Sequence, residues 1–219
     1  MLINRDLNDF LMRWKKSPSR LPLILRGARQ VGKTTLIKEF GNEYDYFLYF
    51  NLELYQDKQL FANIHKGVKS ILEILFLSKD IRYSPNSETL IFIDEVQEKP
   101  EVIEQLRYFY EEFPHIHIIV TGSLLEFALN KISKVPIGRV EFAILHPLSF
   151  KEFLRANQKS ALLDAMEKIP FNNSFLEMAK VQFHLYAMLG AMPMIVKQYV
   201  EDQNFLRTIE LYNAIIESY

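Results

Sequence analysis

The sequence predicts an α/β fold built on a parallel sheet, and three observations carry that expectation. Short apolar runs near 21–26, 46–52, 89–94, 116–121 and 140–145 read as buried strands, and stretches with three- and four-residue apolar spacing separate them. Regular alternation of strand and helix argues for right-handed crossovers between parallel neighbours. The first run leads straight into a loop bounded by two glycines, and the third ends in two adjacent carboxylates.

Composition sets the outer limits. At 219 residues with 49% hydrophobic content, the chain can bury one full α/β core and a modest appendage. Its 26 basic and 27 acidic residues give a formal net charge of -1, so no global field draws it to nucleic acid or to an anionic membrane. With no cysteine, disulfides, thiolate metal sites and cysteine nucleophiles are excluded, which fits a reducing, cytoplasmic setting. Arg5, Asp6 and Asp9 interrupt the start of the chain where a signal peptide would be apolar. No apolar run approaches the roughly 18 residues of a spanning helix, so no membrane partner is expected.

The first run continues as Arg26-Gly27-Ala28-Arg29-Gln30-Val31-Gly32-Lys33-Thr34-Thr35. Gly27 and Gly32 allow the loop to fold back so that successive backbone N–H groups converge on an anion, in conformations that a Cβ would disfavour. Lys33 brings a point charge to the β and γ phosphates of a nucleotide, Thr34 offers a hydroxyl to Mg²⁺, and the helix that starts here adds its positive end. Both glycines, the Lys-Thr pair and the strand-to-helix context are present, which makes this a complete P-loop.

Elsewhere the chain carries fewer signals. Residues 2–16 have near-helical apolar spacing and end in Arg13, Lys15 and Lys16, a basic end that reads as a solvated helix terminus. The aromatic run 46–52 suits a buried strand; Glu53 just beyond it either faces a ligand or ends the strand in solvent. Helices are expected over 55–82, and a Ser-Pro-Asn-Ser turn at 84–87 precedes the third strand. There Leu90-Ile91-Phe92-Ile93 runs into Asp94-Glu95, the form of a Walker B strand. In that reading Asp94 holds Mg²⁺ through water, and Glu95 orients and polarises the attacking water.

A helix is expected from Lys99-Pro100 to Pro114, followed by a strand that ends in Thr121-Gly122-Ser123. Thr121 and Ser123 are candidates to sense the γ-phosphate; the other reading is a hydroxyl turn or a helix cap. His115 and His117 share a strand face, but no third metal ligand accompanies them. Arg139, in the loop before the fifth strand, reads either as an arginine finger, acting in cis or on a neighbouring subunit, or as a structural ion pair. Residues 150–219 have helical spacing to their last residues and no stop signal.

A carboxylate pair followed by a strand with a hydroxyl-bearing end makes the chain resemble the additional-strand, AAA-like class of P-loop NTPases. That resemblance implies a five-stranded sheet in the spatial order 5-1-4-3-2. More narrowly, the loop 26–35, Leu90-Ile91-Phe92-Ile93-Asp94-Glu95-Val96-Gln97, Val120-Thr121-Gly122-Ser123, Gly138-Arg139 and Pro147-Leu148-Ser149-Phe150-Lys151-Glu152-Phe153 together resemble the prokaryotic AAA_14-type ATPases. These commonly carry a C-terminal DUF4143 domain and are related to the STAND and archaeal ATPases. Leu124 stands where the family often has a second small hydroxyl residue, which leaves Ser123 as the closer sensor match. Gly190-Ala191 stands where paired glycines are common.

The resemblance implies ATP as the nucleotide, with Mg²⁺ at Thr34 and Asp94. It also implies an ATPase core with its N-terminal helix over 1–149 and a helical region over 150–219, with a further C-terminal domain expected beyond it. The expected function is Mg²⁺-dependent ATP binding and hydrolysis coupled to a conformational change or a partner interaction. The alternative is an ATP-binding switch or scaffold with negligible turnover. ATP and ADP are the expected ligands, a second copy or another protein the expected partner, and nucleic acid is not expected.

Overall fold

Five apolar runs form one sheet. β1 (Leu23–Arg26), β2 (Tyr46–Asn51), β3 (Thr89–Asp94), β4 (Ile116–Thr121) and β5 (Glu141–Ile144) pair in the order β2-β3-β4-β1-β5, every pair parallel. Read from the other edge, this is the expected 5-1-4-3-2. The structure, a computed structural model, describes residues 2–62, 64, 67–123, 125, 129, 138–168 and 173–217.

Burial on both faces explains why the inner strands β1, β3 and β4 read as near-continuous apolar runs rather than as alternation. All six residues of β3 and all six of β4 are buried. On one face Ile91, Ile93, Ile118 and Val120 share a core with Leu72, Leu75 and Phe76 of α4 (Val68–Ser78) and with Val102, Ile103 and Leu106 of α5 (Glu101–Glu112). The side chains of alternate residues go to the other face, where Phe92 packs against Phe47 and Tyr49. There Trp14 of α1 (Leu7–Lys16) meets Phe40 of α2 (Lys33–Phe40) and, edge-on, His117. A short α3 (Tyr55–Leu60) lies between β2 and α4 in the chain.

Because all five strands are parallel, their carboxyl ends share one edge. Consequently the loop after β1, Asp94 at the end of β3 and Thr121 at the end of β4 converge.

The chain divides into two compact units, Asp9–Leu145, which carries the sheet, and Met1–Asn8 with His146–Tyr219. This division differs from the expected one after residue 149 with residues 1–8 in the core, and hydrogen bonding gives the reason. Arg5 Nε donates to Glu152 Oε1 at 2.9 Å with both side chains buried, Arg5 Nη2 donates to the His146 carbonyl at 2.6 Å, and Arg155 pairs with Asp6. These bonds tie the first residues to α6 (Phe150–Ala156), which starts with a full capping box between Ser149 and Glu152.

The second unit continues through α7 (Ser160–Glu167), α8 (Leu176–Leu189), α9 (Pro193–Asp202) and α10 (Phe205–Glu217) around Phe153, Leu154, Leu163, Ile195 and Val196. Gly190 ends α8 at φ 71°, and Pro193 opens α9 at its first turn. Among the described residues no helix is long and apolar enough to cross a membrane.

Candidate nucleotide-binding site

The loop after β1 has the backbone its sequence calls for. Gly27 sits at φ 149° and Gly32 at φ 93°, the latter capping α2, and Leu36 N–H returns to the Gly32 carbonyl at 2.9 Å. An ideal Cβ on Gly27 would lie 2.3 Å from the Leu145 carbonyl oxygen, so that position admits only glycine. Gln30 also takes a left-handed conformation, at φ 60°, while Val31 is fully buried and anchors the middle of the loop. Ala28 and Arg29 lie before that anchor and Thr35 after it, in the first turn of α2.

Lys33 curls over this loop. Its ammonium donates to the Gly27 and Ala28 carbonyls, at 2.8 Å each. Burial lowers its pKa below the ordinary lysine value, while the Glu95 and Asp94 carboxylates act in the opposite direction. A cation held over a glycine cradle at the start of a helix fits a polyphosphate.

Asp94, at the end of β3, is 2% exposed, and donors surround its carboxylate. Oδ2 accepts from the Thr34 hydroxyl at 2.6 Å; Oδ1 accepts from the Thr121 hydroxyl and from the Glu95 N–H at 3.0 Å. Thr34 and Asp94 together are a hydroxyl and a carboxylate at the foot of the loop, hard oxygens of the kind that Mg²⁺ takes beside phosphate. The Thr121 side chain is thus turned to Asp94, where it orients the carboxylate. Asn51 lies in register with Asp94 on β2, and the Leu52 N–H bonds to the Asp94 carbonyl.

Glu95 adopts φ 52°, ψ 46°, a left-handed conformation that a β-carbon resists, so the chain turns sharply out of β3 and carries the carboxylate to one side. Its Oε2 accepts from Gln97 Nε2 at 2.6 Å and from the Ser123 hydroxyl and N–H at 3.3 and 3.4 Å. Arg29 Nε reaches the same hydroxyl at 3.5 Å. Ser123 therefore stands between the phosphate loop and Glu95.

Four other residues lie apart. Arg139 precedes β5 and so stands at the amino edge of a parallel sheet, with all of β5, about 13 Å at about 3.3 Å per residue, between it and the carboxyl edge. There it pairs with Glu111 at 3.3 Å, both side chains half-exposed. Glu53 is exposed, and its N–H bonds to the Asn51 side chain. His117 accepts or donates with Tyr44 Oη at 2.7 Å, and His115 pairs with Tyr83. Leu124 lies outside the described residues. Sequence reasoning missed Gln97 and the Arg29–Ser123 contact; only the Asp-Glu-x-Gln spacing hinted at the former.

The profile of the AAA_14 family, described as an AAA domain, matches residues 19–154. Among curated proteins, an uncharacterized protein of Methanocaldococcus jannaschii is 26% identical over 183 residues, a match covering 80% of this chain and 37% of the other. One of Haemophilus influenzae is 24% identical over 156 residues, covering 65% of this chain and 36% of the other. The chain thus spans about a third of the length of these relatives.

Among solved structures, the Walker-type ATPase of Pyrococcus abyssi superposes with a TM-score of 0.61 at 18% identity, over 99% of this chain and 74% of that one. The replication initiator DnaA bound to AMPPCP and single-stranded DNA gives 0.52 at 16% identity, over 91% and 62%. At such identities the likeness speaks to the fold, that of a P-loop ATPase.

Proposed function

The chain belongs to the AAA_14 family of AAA domains, and we propose that it is a Mg²⁺-dependent ATPase that cleaves the β–γ phosphoanhydride of ATP. The observation that carries this reading is the Asp94–Glu95 pair. The first carboxylate bonds to the Thr34 hydroxyl at the foot of the phosphate loop, and the second is turned aside and held by its own donors. In this reading the backbone from Gly27 to Thr35 cradles the phosphates, and Lys33 exchanges the Gly27 and Ala28 carbonyls for β- and γ-phosphate oxygens. Thr34 and Asp94 hold Mg²⁺, with Thr121 fixing the Asp94 rotamer. Bound there, the ion neutralises phosphate charge. Glu95 orients water against the γ-phosphorus and takes its proton, while Ser123 links Glu95 to the loop through Arg29.

Two variants test the assignment. Lys33→Ala is expected to lose ATP binding, whereas Glu95→Gln keeps binding and loses about 10²–10⁴ in kcat. Full hydrolysis by the glutamine variant would remove Glu95 from its role.

A second reading is favoured by the place of Arg139. With that guanidinium paired to Glu111 at the far edge of the sheet, the site lacks it as a cis charge for the transition state. The isolated chain then acts as an ATP-binding switch of negligible turnover until a second copy or a protein partner supplies one. Phosphate release that rises more than linearly with protein concentration, and falls with Arg139→Ala, supports a finger in trans; linear release unaffected by that variant refutes it. The absence of cysteine fits a reducing, cytoplasmic setting for either reading.

A further inference from the structure

We propose that Gln97 is a positioning residue for hydrolysis: it fixes the Glu95 carboxylate through Oε2, so that Oε1 is the oxygen that takes the proton from the attacking water. The inference rests on the hydrolytic reading above and assigns a task to a side chain that reading does not use.

Three observations support it. All the donors that reach the Glu95 carboxylate converge on one oxygen: Gln97 Nε2 at 2.6 Å, the Ser123 hydroxyl at 3.3 Å and the Ser123 N–H at 3.4 Å meet at Oε2, and no described residue donates to Oε1. A carboxylate clamped on one side loses its freedom to rotate and presents the other oxygen in a fixed direction. The amide orientation follows from chemistry, because a carboxylate can only accept, so the NH₂ group of Gln97 faces Glu95.

The second observation is the cost of that arrangement. Gln97 Oε1 is buried without a hydrogen-bond partner among the described residues. A side chain serving only to fill this space would do better as an apolar one, since a buried unpaired acceptor is destabilising. The third is the fit against β4's end. A Cβ at Gly122 would lie 2.5 Å from Gln97 Oε1, so the glycine between Thr121 and Ser123 makes room for the amide. Glu95 itself is in a left-handed conformation, and its carboxylate accepts from Ser123, the residue after that glycine.

In the reaction, the water oxygen bonds to the γ-phosphorus as the bond from that phosphorus to the β–γ bridging oxygen breaks. The bond's electron pair leaves on ADP, and the water proton passes to Glu95 Oε1. Gln97 touches neither substrate nor water; it acts through Glu95.

The test is Gln97→Met, which keeps the length of the side chain and removes both the donor and the orphan acceptor. Single-turnover hydrolysis with excess protein, equilibrium binding of a non-hydrolysable ATP analogue and thermal unfolding are measured on the whole chain. The expected result is a hydrolysis rate lower by about tenfold to a hundredfold, analogue affinity within about twofold of the parent chain, and a melting temperature no lower than that of the parent. A rate unchanged within about twofold overturns the inference. So does a loss of affinity or melting temperature that parallels the loss of rate, because that is the signature of a structural part.

If Gln97→Met does not fold, Gly122→Ala takes its place. Its methyl group displaces the amide while leaving Gln97 intact, and the same pattern is expected. Glu95→Gln separates the two levels of the argument. Turnover that survives Glu95→Gln but not Gln97→Met sinks both the base assignment and action through it. Turnover lost in Glu95→Gln and kept in Gln97→Met sinks the Gln97 inference alone. A parent chain that hydrolyses nothing in a single turnover removes the reaction itself, and the inference with it.

Discussion

Replacing Gly27 by alanine puts the phosphate loop to a quantitative test. At φ 149° the residue lies in a region that L-residues rarely enter, which costs about 1–3 kcal/mol for the backbone alone. The added methyl would also stand 2.3 Å from the Leu145 carbonyl oxygen and 3.2 Å from Val31 Cγ2. Leu145 cannot simply retreat, because its N–H is bonded to the Arg26 carbonyl at 2.8 Å, closing the β1–β5 ladder just where the loop begins. Overpacking against backbone adds about 1–3 kcal/mol, so Gly27→Ala is expected to destabilise the chain by about 2–6 kcal/mol.

Gly67→Ala is the matched control. Gly67 is also at positive φ, 101°, yet a Cβ there meets nothing among the described residues within 4 Å, so it should show the backbone cost alone. Urea unfolding of the two variants and the parent chain, followed by circular dichroism, gives the difference directly. Binding of an ATP analogue should fall in Gly27→Ala and stay unchanged in Gly67→Ala. A Gly27→Ala chain no less stable than Gly67→Ala would refute the argument that the Leu145 carbonyl fixes this position.

Two further outcomes concern buried charge. Glu152→Ala leaves the Arg5 guanidinium buried without its carboxylate and removes the capping box of α6, so it should cost about 3–5 kcal/mol; a loss below about 1 kcal/mol in urea unfolding would contradict it, and Glu152→Ala with Arg5→Met should recover part of the loss. His117 gives a pH dependence. Burial pushes its pKa down from 6.5 to about 3, with Arg20, Lys15 and His115 acting in the same direction. Between those values the unfolded chain binds the proton and the folded chain does not, so stability falls as pH drops through that window, at up to about 1.4 kcal/mol per unit. A fall of about 1 kcal/mol from pH 7 to pH 5.5 is expected, and His117→Gln, which still offers an acceptor to Tyr44, should remove most of it. A parent and variant with the same slope would refute the assignment.

The parts of this protein legible in its sequence are those set by neighbours in the chain. The inner strands β1, β3 and β4 stood out because strands covered on both faces demand unbroken apolar runs, and Leu90 to Ile93 or Ile116 to Val120 supply them. The P-loop could be read because its glycines, lysine and threonine act within ten residues, and the Asp94–Glu95 pair because it ends a strand directly. Strand order entered through resemblance to a known class, since periodicity carries no information about which strand lies beside which.

Tertiary structure decided what depends on direction and on distant backbone. Arg139 lies in the loop before β5, and a parallel strand puts the residues before it and after it at opposite edges of the sheet. Residues 1–8 separated from the rest of the N-terminal segment because Arg5 finds its carboxylate at Glu152, 147 positions away. Gln97 gained a role only once Glu95 turned left-handed and Gly122, on another strand's end, left room for an amide. Local sequence specifies which groups can do chemistry; only the folded sheet fixes which of them meet, because strand direction and long-range pairing set those distances.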